Sequence, residues 1–273
     1  MQSMKINAET VWNNLKLLRE KSPLVHNITN YVVMNNTANA LLSIGASPVM
    51  AHAPEEMEEM VNIASALVIN IGTLSEKWIE AMKIAGKTAN IKGIPVIFDP
   101  VGAGATSFRT NTCMSLLKDI KLTVIRGNGS EIMSLLSASN NTKGVDSTVS
   151  SHSALDAAMQ LACEYNTIVS VSGASDYITD GKQIYRVDNG VDLMPVVTGL
   201  GCTASALTAA FAAVEDNTIA AATHAMAIMG IAGEMAALKS DGPGTLQLHF
   251  IDILYNINSN DVISRAKISQ YEK

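Results

Sequence analysis

Four short apolar runs constrain this chain more than anything else in it: Ala66–Gly72, Pro95–Asp99, Leu122–Arg126 and Thr167–Gly173. A brief stretch that is apolar at both odd and even positions suits a strand covered on both faces. Helical spacing fills the intervals. Ser75 can cap a helix that turns Trp78, Met82, Ala85 and Ala89 inward, a second helix runs from about Ser107 to Lys118, and another begins near Ser130. Ser153 opens one with Leu155, Ala158, Met159 and Ala162 on its inner face. Upstream, Asn7 caps a helix carrying Val11, Leu15 and Leu18, and residues 32–44 read as a helix stopped by Gly45. A short strand follows at Ser47–Met50, and Pro54 with Glu55 and Glu56 starts a helix with Met57, Met60, Val61 and Ala64 inward. Residues 175–187 alternate around Asp180-Gly181, a hairpin signal, and the final third is mostly helix with a break at Gly242-Pro243-Gly244. This rhythm predicts an α/β fold with a mainly parallel central sheet flanked by helices on both faces. No linker, repeat or low-complexity tract interrupts it, so residues 1–273 read as a single domain.

Composition narrows the function classes. Aromatic residues make up only 4% of the chain, so the core rests on aliphatic side chains and fourteen methionines; such a body suits an oligomer that hides more surface than a monomer would. A net charge of −6 with scattered Lys and Arg argues against nucleic acid as a partner. The three cysteines, Cys113, Cys163 and Cys202, are too widely spaced for a disulfide framework or a zinc site, which fits a reducing cytoplasm. Cys113 and Cys163 read as small buried hydrophobes within helices. Met1–Lys5 lacks the apolar core of a signal peptide, and Met4 is an alternative start. Ile219–Leu238 is long and apolar enough for a membrane span, yet it carries His224 and Glu234 and lacks basic flanks. It reads as a buried helix of a soluble protein.

Ligands of parallel α/β sheets bind beyond the carboxyl ends of the strands. There the chain places Asp99-Pro100-Val101-Gly102, then Arg126-Gly127-Asn128-Gly129-Ser130-Glu131, then Ser172-Gly173-Ala174. Asp99 and Glu131 can serve Mg²⁺, directly or through water; each also reads as a turn former or a first-turn helix charge. Arg126 can hold a phosphate, or stand as an exposed strand-end arginine; Ser172 can donate to a phosphate or cap a turn. The turn Val197-Thr198-Gly199-Leu200-Gly201-Cys202 precedes an Ala-rich helix. Paired glycines before a helix N-terminus make an anion site, with Cys202 at its lip. The dipole of that helix predicts a thiol that ionises readily. His26 and His52 read as structural, and His152, His224 and His249 show no recognisable pairing. No Ser-His-Asp order, HExxH or P-loop is present.

Taken in order, Pro23–Asn30, Leu42–Met50, Phe98–Gly102, Gly127–Glu131, Val197–Cys202 and Gly242–Thr245 resemble the hydroxyethylthiazole kinases of thiamine salvage, within the ribokinase-like superfamily. The resemblance spans about 23 to 250. It implies ATP as co-substrate, Mg²⁺, phosphorylation of the hydroxyl of 4-methyl-5-(2-hydroxyethyl)thiazole, and a homotrimer with thiazole pockets between subunits. By that resemblance Met50, Gly199 and Asn30 meet the thiazole, Arg126, Ser172 and Gly201 meet ATP, Glu131 and Asp99 organise the metal, and Cys202 replaces the aspartate base of most superfamily members. Many relatives carry Lys where Arg126 stands and Thr where Ser172 stands. Rival readings are a hydroxymethylpyrimidine or pyridoxal kinase of the same superfamily, an ATP-dependent nicotinamide-hydrate dehydratase, and a non-catalytic binder.

Overall fold

The computed structural model describes residues 5–142 and 153–272; Met4, the rest of the extreme N-terminus and His152 lie outside them. In chain order the elements are α1 (Ala8–Lys21), β1 (Leu24–Ile28), α2 (Met34–Ile44), β2 (Ser47–Val49), α3 (Met57–Ile63), β3 (Ala66–Asn70), α4 (Glu76–Lys92), β4 (Val96–Asp99), α5 (Ser107–Asp119), β5 (Val124–Asn128), α6 (Gly129–Thr142), α7 (Ala154–Tyr165), β6 (Ile168–Ser172), β7 (Asp176–Thr179), β8 (Ile184–Val187), α8 (Leu200–Ala212), α9 (Thr218–Ala237), α10 (Pro243–Asn256), α11 (Ser259–Arg265) and β9 (Ile268–Gln270). Single 3₁₀ turns at Pro54–Glu56 and Met194–Val196 complete them.

The nine strands among the described residues form one sheet in the order β2-β1-β3-β4-β5-β6-β7-β8-β9. The six from β2 to β6 are parallel and the last three antiparallel. The pleat sorts the apolar runs onto two cores. Val25, Val68, Ile97 and Val124 face one way, against α1, α2, α8, α9 and α10. Leu67, Ile69, Val96, Phe98, Ile125 and Val169 face the other, against α3 to α7. Each central strand therefore needs apolar residues at both parities, which is why its sequence is uninterrupted.

β1 and β9 were not anticipated. β1 carries His26 and Asn27 in mid-strand, and both are fully buried; His26 Nε2 bonds the Ala51 carbonyl at 3.0 Å and Asn27 donates to the Val25 carbonyl at 2.8 Å. α2 starts at Met34 rather than Val32. Cys163 is exposed, not buried, because the inner face of α7 is formed by Ala157, Ala158, Leu161 and Ala162, with Leu155 and Met159 only half-buried. The expected helix caps are present: Asn7, Ser75 and Ser153 each accept from the backbone N–H three residues on.

α9 passes a length-and-composition test for a membrane span, yet 89% of its most apolar window is buried inside the protein. Its His224 lies on α1: Nε2 is 3.1 Å from Thr10 Oγ1 and Nδ1 is 3.0 Å from Asn14 Nδ2. Burial pushes His224 down to about 4, so the ring is neutral. No pairing of this histidine is recognisable in the sequence; the fold supplies these contacts.

Candidate active site

Register sets the floor of the site. β3 and β4 pair in parallel with Asn70 opposite Asp99, at the carboxyl ends of both strands. The two share parity with Val68 and Ile97 and so point toward α8. Asn70 Nδ2 donates to Asp99 Oδ2 at 2.8 Å, and Ser205 on α8 donates its hydroxyl to the same oxygen at 2.7 Å. Asn70 Oδ1 accepts from the Gly72 amide at 2.9 Å and from Asn30 Nδ2 at 3.0 Å. Asn30, two residues beyond β1, also donates to Cys202 Sγ at 3.4 Å. The chain of contacts thus leaves α8 at Cys202 and rejoins it one turn later at Ser205. Asp99 Oδ1 accepts nothing among the described residues.

The neighbouring strand ends are built differently. Arg126 on β5 is nearly buried and reaches up to α8, donating from Nη1 to the Gly201 carbonyl at 2.9 Å and from Nη2 to Ser172 Oγ at 2.7 Å. Among the described residues it forms no ion pair. At the end of β5, Asn128 Oδ1 accepts from the Glu131 amide at 3.0 Å, and Glu131 reaches back to the Asn128 amide through Oε2 at 2.8 Å. Glu131 Oε1 takes the Gly102 amide at 2.9 Å, tying this turn to the loop after β4. Arg109 fastens that loop from behind, donating to the carbonyls of Ile71, Gly72 and Val101.

α8 supplies the third wall. Its N-cap Gly199 has φ +87°, and a Cβ there would stand 2.7 Å from Val33 Cγ1. Only glycine satisfies both demands. The first amide taken up within the helix is that of Thr203, by the Gly199 carbonyl at 2.9 Å, and no side chain caps the end. The amides of Leu200, Gly201 and Cys202 are left for an external acceptor.

Cys202 does not have the chemistry its position at a helix start suggested. Burial pushes its thiol up to about 11, the nearby Asp99 adds to the rise, and the bonds from Asn30 and Asn70 and the charge of Arg126 oppose it only in part. Desolvation comes first and the neighbouring anion second in raising it. The residue is a neutral thiol near pH 7. Burial also raises Asp99 to about 6, with Glu131 adding to the rise and Arg126, Ser205 and Asn70 opposing it.

A cleft of about 400 Å³ collects most of the residues the sequence singled out: Asn30, Asp99, Arg126, Glu131, Ser172, Gly199, Gly201 and Cys202 all line it. Met50 does not; it follows the edge strand β2 and stands outside the lining. The cleft opens past Arg126 and Ser172 into a second cavity of about 700 Å³ with an apolar wall that includes Met194, Val197, Met226 and Met229. Gly230 and Gly233 let the 189–194 segment lie against α9, since a Cβ at either would run into Asn189 or Met194. Sequence reasoning passed over Asn70 and Ser205. The signal for Asn70 was its polarity at the end of an all-apolar run, at the same parity that carries Asp99 one strand over.

Oxygen donors dominate the carboxylate side. Asp99 offers an uncommitted oxygen, and each Glu131 oxygen keeps lone-pair capacity beyond its one backbone bond. No group of three or more His, Cys, Asp or Glu among the described residues could hold a metal unaided. Two hard carboxylates that need water and phosphate oxygens to complete a shell fit Mg²⁺ arriving with a nucleotide.

With this geometry in hand, the chain can be set beside known proteins. A family described as "Hydroxyethylthiazole kinase family" matches residues 15–260. A hydroxyethylthiazole kinase of Syntrophus aciditrophicus (strain SB) is 56% identical over 266 residues, 97% of this chain and 98% of the relative. The solved structure of hydroxyethylthiazole kinase from Pyrococcus horikoshii OT3 superposes with a TM-score of 0.90 at 45% identity, covering 97% of this chain and all of that one. A ribokinase-like superfamily protein from Enterococcus faecalis V583 shares the fold at a TM-score of 0.61 and 14% identity, over 89% of this chain and 94% of its own.

Proposed function

The chain belongs to the hydroxyethylthiazole kinase family, and from that premise we propose that it transfers the γ-phosphoryl group of ATP to the hydroxyl of 4-methyl-5-(2-hydroxyethyl)thiazole. One observation carries the chemistry: Gly201 and Cys202 at the open start of α8, the guanidinium of Arg126 and the carboxylates of Asp99 and Glu131 all border one cleft.

Phosphoryl transfer asks a protein mainly for positioning and for charge stabilisation. The α8 amides and Arg126 supply positive potential for the migrating group. Ser172 holds Arg126 and presents a hydroxyl beside it. The apolar cavity beyond them suits the base of the nucleotide. Asp99 and Glu131 would hold Mg²⁺, directly or through water, and that ion would neutralise charge on the phosphate oxygens. Asn30 and Gly199 border the place for the thiazole alcohol. Its oxygen forms the new P–O bond, the bond from γ-phosphorus to the bridging oxygen breaks toward ADP, and the hydroxyl proton is released to water in the cleft. Cys202 acts as a neutral thiol that orients the hydroxyl.

The protein acts, in this reading, as a cytoplasmic homotrimer. Leu42 on α2, Leu248 and Tyr255 on α10 and Val196 beside them are all exposed, an apolar surface that subunit packing would cover. Met50, outside the cleft of its own subunit, fits a pocket shared between protomers. Incubation with Mg·ATP and the thiazole alcohol, followed by mass measurement, is expected to show a phosphorylated alcohol and stoichiometric ADP. Release of inorganic phosphate with the alcohol unchanged would overturn the assignment.

A further inference from the structure

Asn70 stands at the centre of the buried network and has no role in the reading above. Its hydrogen-bond polarity is dictated by its neighbours. The Gly72 amide can only donate, so the atom facing it at 2.9 Å is Oδ1. The Asp99 carboxylate can only accept, so the atom facing it at 2.8 Å is Nδ2. With Asn70 Oδ1 turned to Asn30, Asn30 must offer its own Nδ2, at 3.0 Å. That orientation also presents an N–H to Cys202 Sγ at 3.4 Å. Asn30 Oδ1 is then left as an acceptor with no partner among the described residues, on a residue that lines the cleft. Asp99 is held the same way: Oδ2 is occupied by Asn70 and Ser205, and Oδ1 is left over.

We infer that Asn70 is a positioning residue for phosphoryl transfer: it sets which atoms of Asn30 and Asp99 meet the substrate alcohol and the phosphate. This rests on the kinase reading and deepens it. Asn70 itself is fully buried and does not line the cleft, so it acts through those two side chains. Without it, the amide of Asn30 is free to turn over and offer N–H where the alcohol needs an acceptor. Asp99 loses one of the two donors that pin its carboxylate. Misplacement on this scale can cost about 10²-fold in rate.

The test is a double-mutant cycle on the intact enzyme with the thiazole alcohol and Mg·ATP. Asn70→Ala is expected to lower kcat about 10²-fold and raise KM for the alcohol, while ADP binding measured in EDTA stays within about threefold of wild type, since Arg126 and Ser172 are untouched. Asn30→Ala added to Asn70→Ala is expected to cost little more, because both remove one interaction. Asn14→Ala, which breaks a buried network remote from the cleft, serves as the control: it should lower Tm and leave kcat and KM alone. If Asn70→Ala does not accumulate folded, Asn70→Ser, which keeps an acceptor near Gly72 but is too short to span Asn30 and Asp99, replaces it with the same expected values. Wild-type kcat and KM in the Asn70 variant, or fully additive losses in the cycle, would overturn the inference. A wild-type enzyme inert toward the alcohol would overturn the kinase reading instead.

Discussion

The two halves of the cleft, built on adjacent strands of one sheet, solve opposite problems. At the ends of β3 and β4, Asn70, Asp99, Asn30 and Ser205 bond mainly to one another. At the ends of β5 and β6, Arg126 is nearly buried with hydrogen bonds to Ser172 and Gly201 but no ion pair among the described residues, and the α8 amides above it are open. The first half fixes its side chains on one another and leaves Asp99 Oδ1 and Asn30 Oδ1 without a partner among the described residues; the second leaves its amides and Arg126 for an anion. The difference teaches where each kind of substitution acts. Changes in the first half alter chemistry and stability together, and changes in the second alter how the phosphate is held, in the ground state or in transfer.

Gly201→Val is the harshest test of the division. A Cβ at Gly201 would lie 3.0 Å from Arg126 Nη1, and a β-branched group would also crowd the open amides. Loss of an anion-stabilising arrangement is expected to lower kcat by about 10²–10³-fold or more. Near-normal turnover in that variant would dissolve the distinction between the halves.

Asp99→Asn comes next, with an expected fall in kcat of about 10²-fold and, in ligand-free protein at pH 7, a rise in Tm. The sign follows from its raised pKa. Asp99 titrates near 6 when folded and lower when unfolded, so above pH 6 the native state carries a buried charge that the unfolded chain holds in water. That penalty fades as pH falls from 6 toward 4, where the native carboxyl takes up its proton first. The Tm advantage of the Asn variant should therefore be present at pH 7 and shrink in acid. A lower Tm at pH 7 would show that the carboxylate network stabilises the fold outright.

Arg126→Met probes the other half. KM for ATP is expected to rise roughly 10- to 100-fold, the scale of a lost charge-assisted contact, with a smaller change in kcat. An unchanged KM for ATP would place the nucleotide elsewhere.

Cys202→Ala is the mildest. A neutral thiol that orients a hydroxyl contributes less than the 10²–10⁴-fold typical of a general base, so kcat should fall by about 10-fold at most and activity should persist. Complete loss with intact ATP binding would mean that the sulfur carries the proton after all.

Much of this was legible in the residues. Short, mostly apolar runs read as central strands, which they are, and the polar residues beyond their ends meet around one cleft. β1 escaped because His26 and Asn27 interrupt it; one atom of each meets a backbone carbonyl of the folded chain, while His26 Nδ1 and Asn27 Oδ1 stay buried without a partner among the described residues. Cys163 was misjudged because periodicity fixes the inner face of a helix only to within a residue or so, and the inner face of α7 falls on small alanines. The ionisation of Cys202 was misjudged for a different reason: the helix start is visible in sequence, while burial and the approach of Asp99 are not. Asn70 lay hidden as the last letter of an apolar strand, its meaning dependent on register with β4.

The most direct test is a crystal structure of the protein with Mg²⁺ and a non-hydrolysable ATP analogue. The terminal phosphate should lie within hydrogen-bond distance of the Leu200, Gly201 and Cys202 amides, with the ion between it and the carboxylates of Asp99 and Glu131. A terminal phosphate bound away from the start of α8, with those carboxylates facing no metal, would contradict the account.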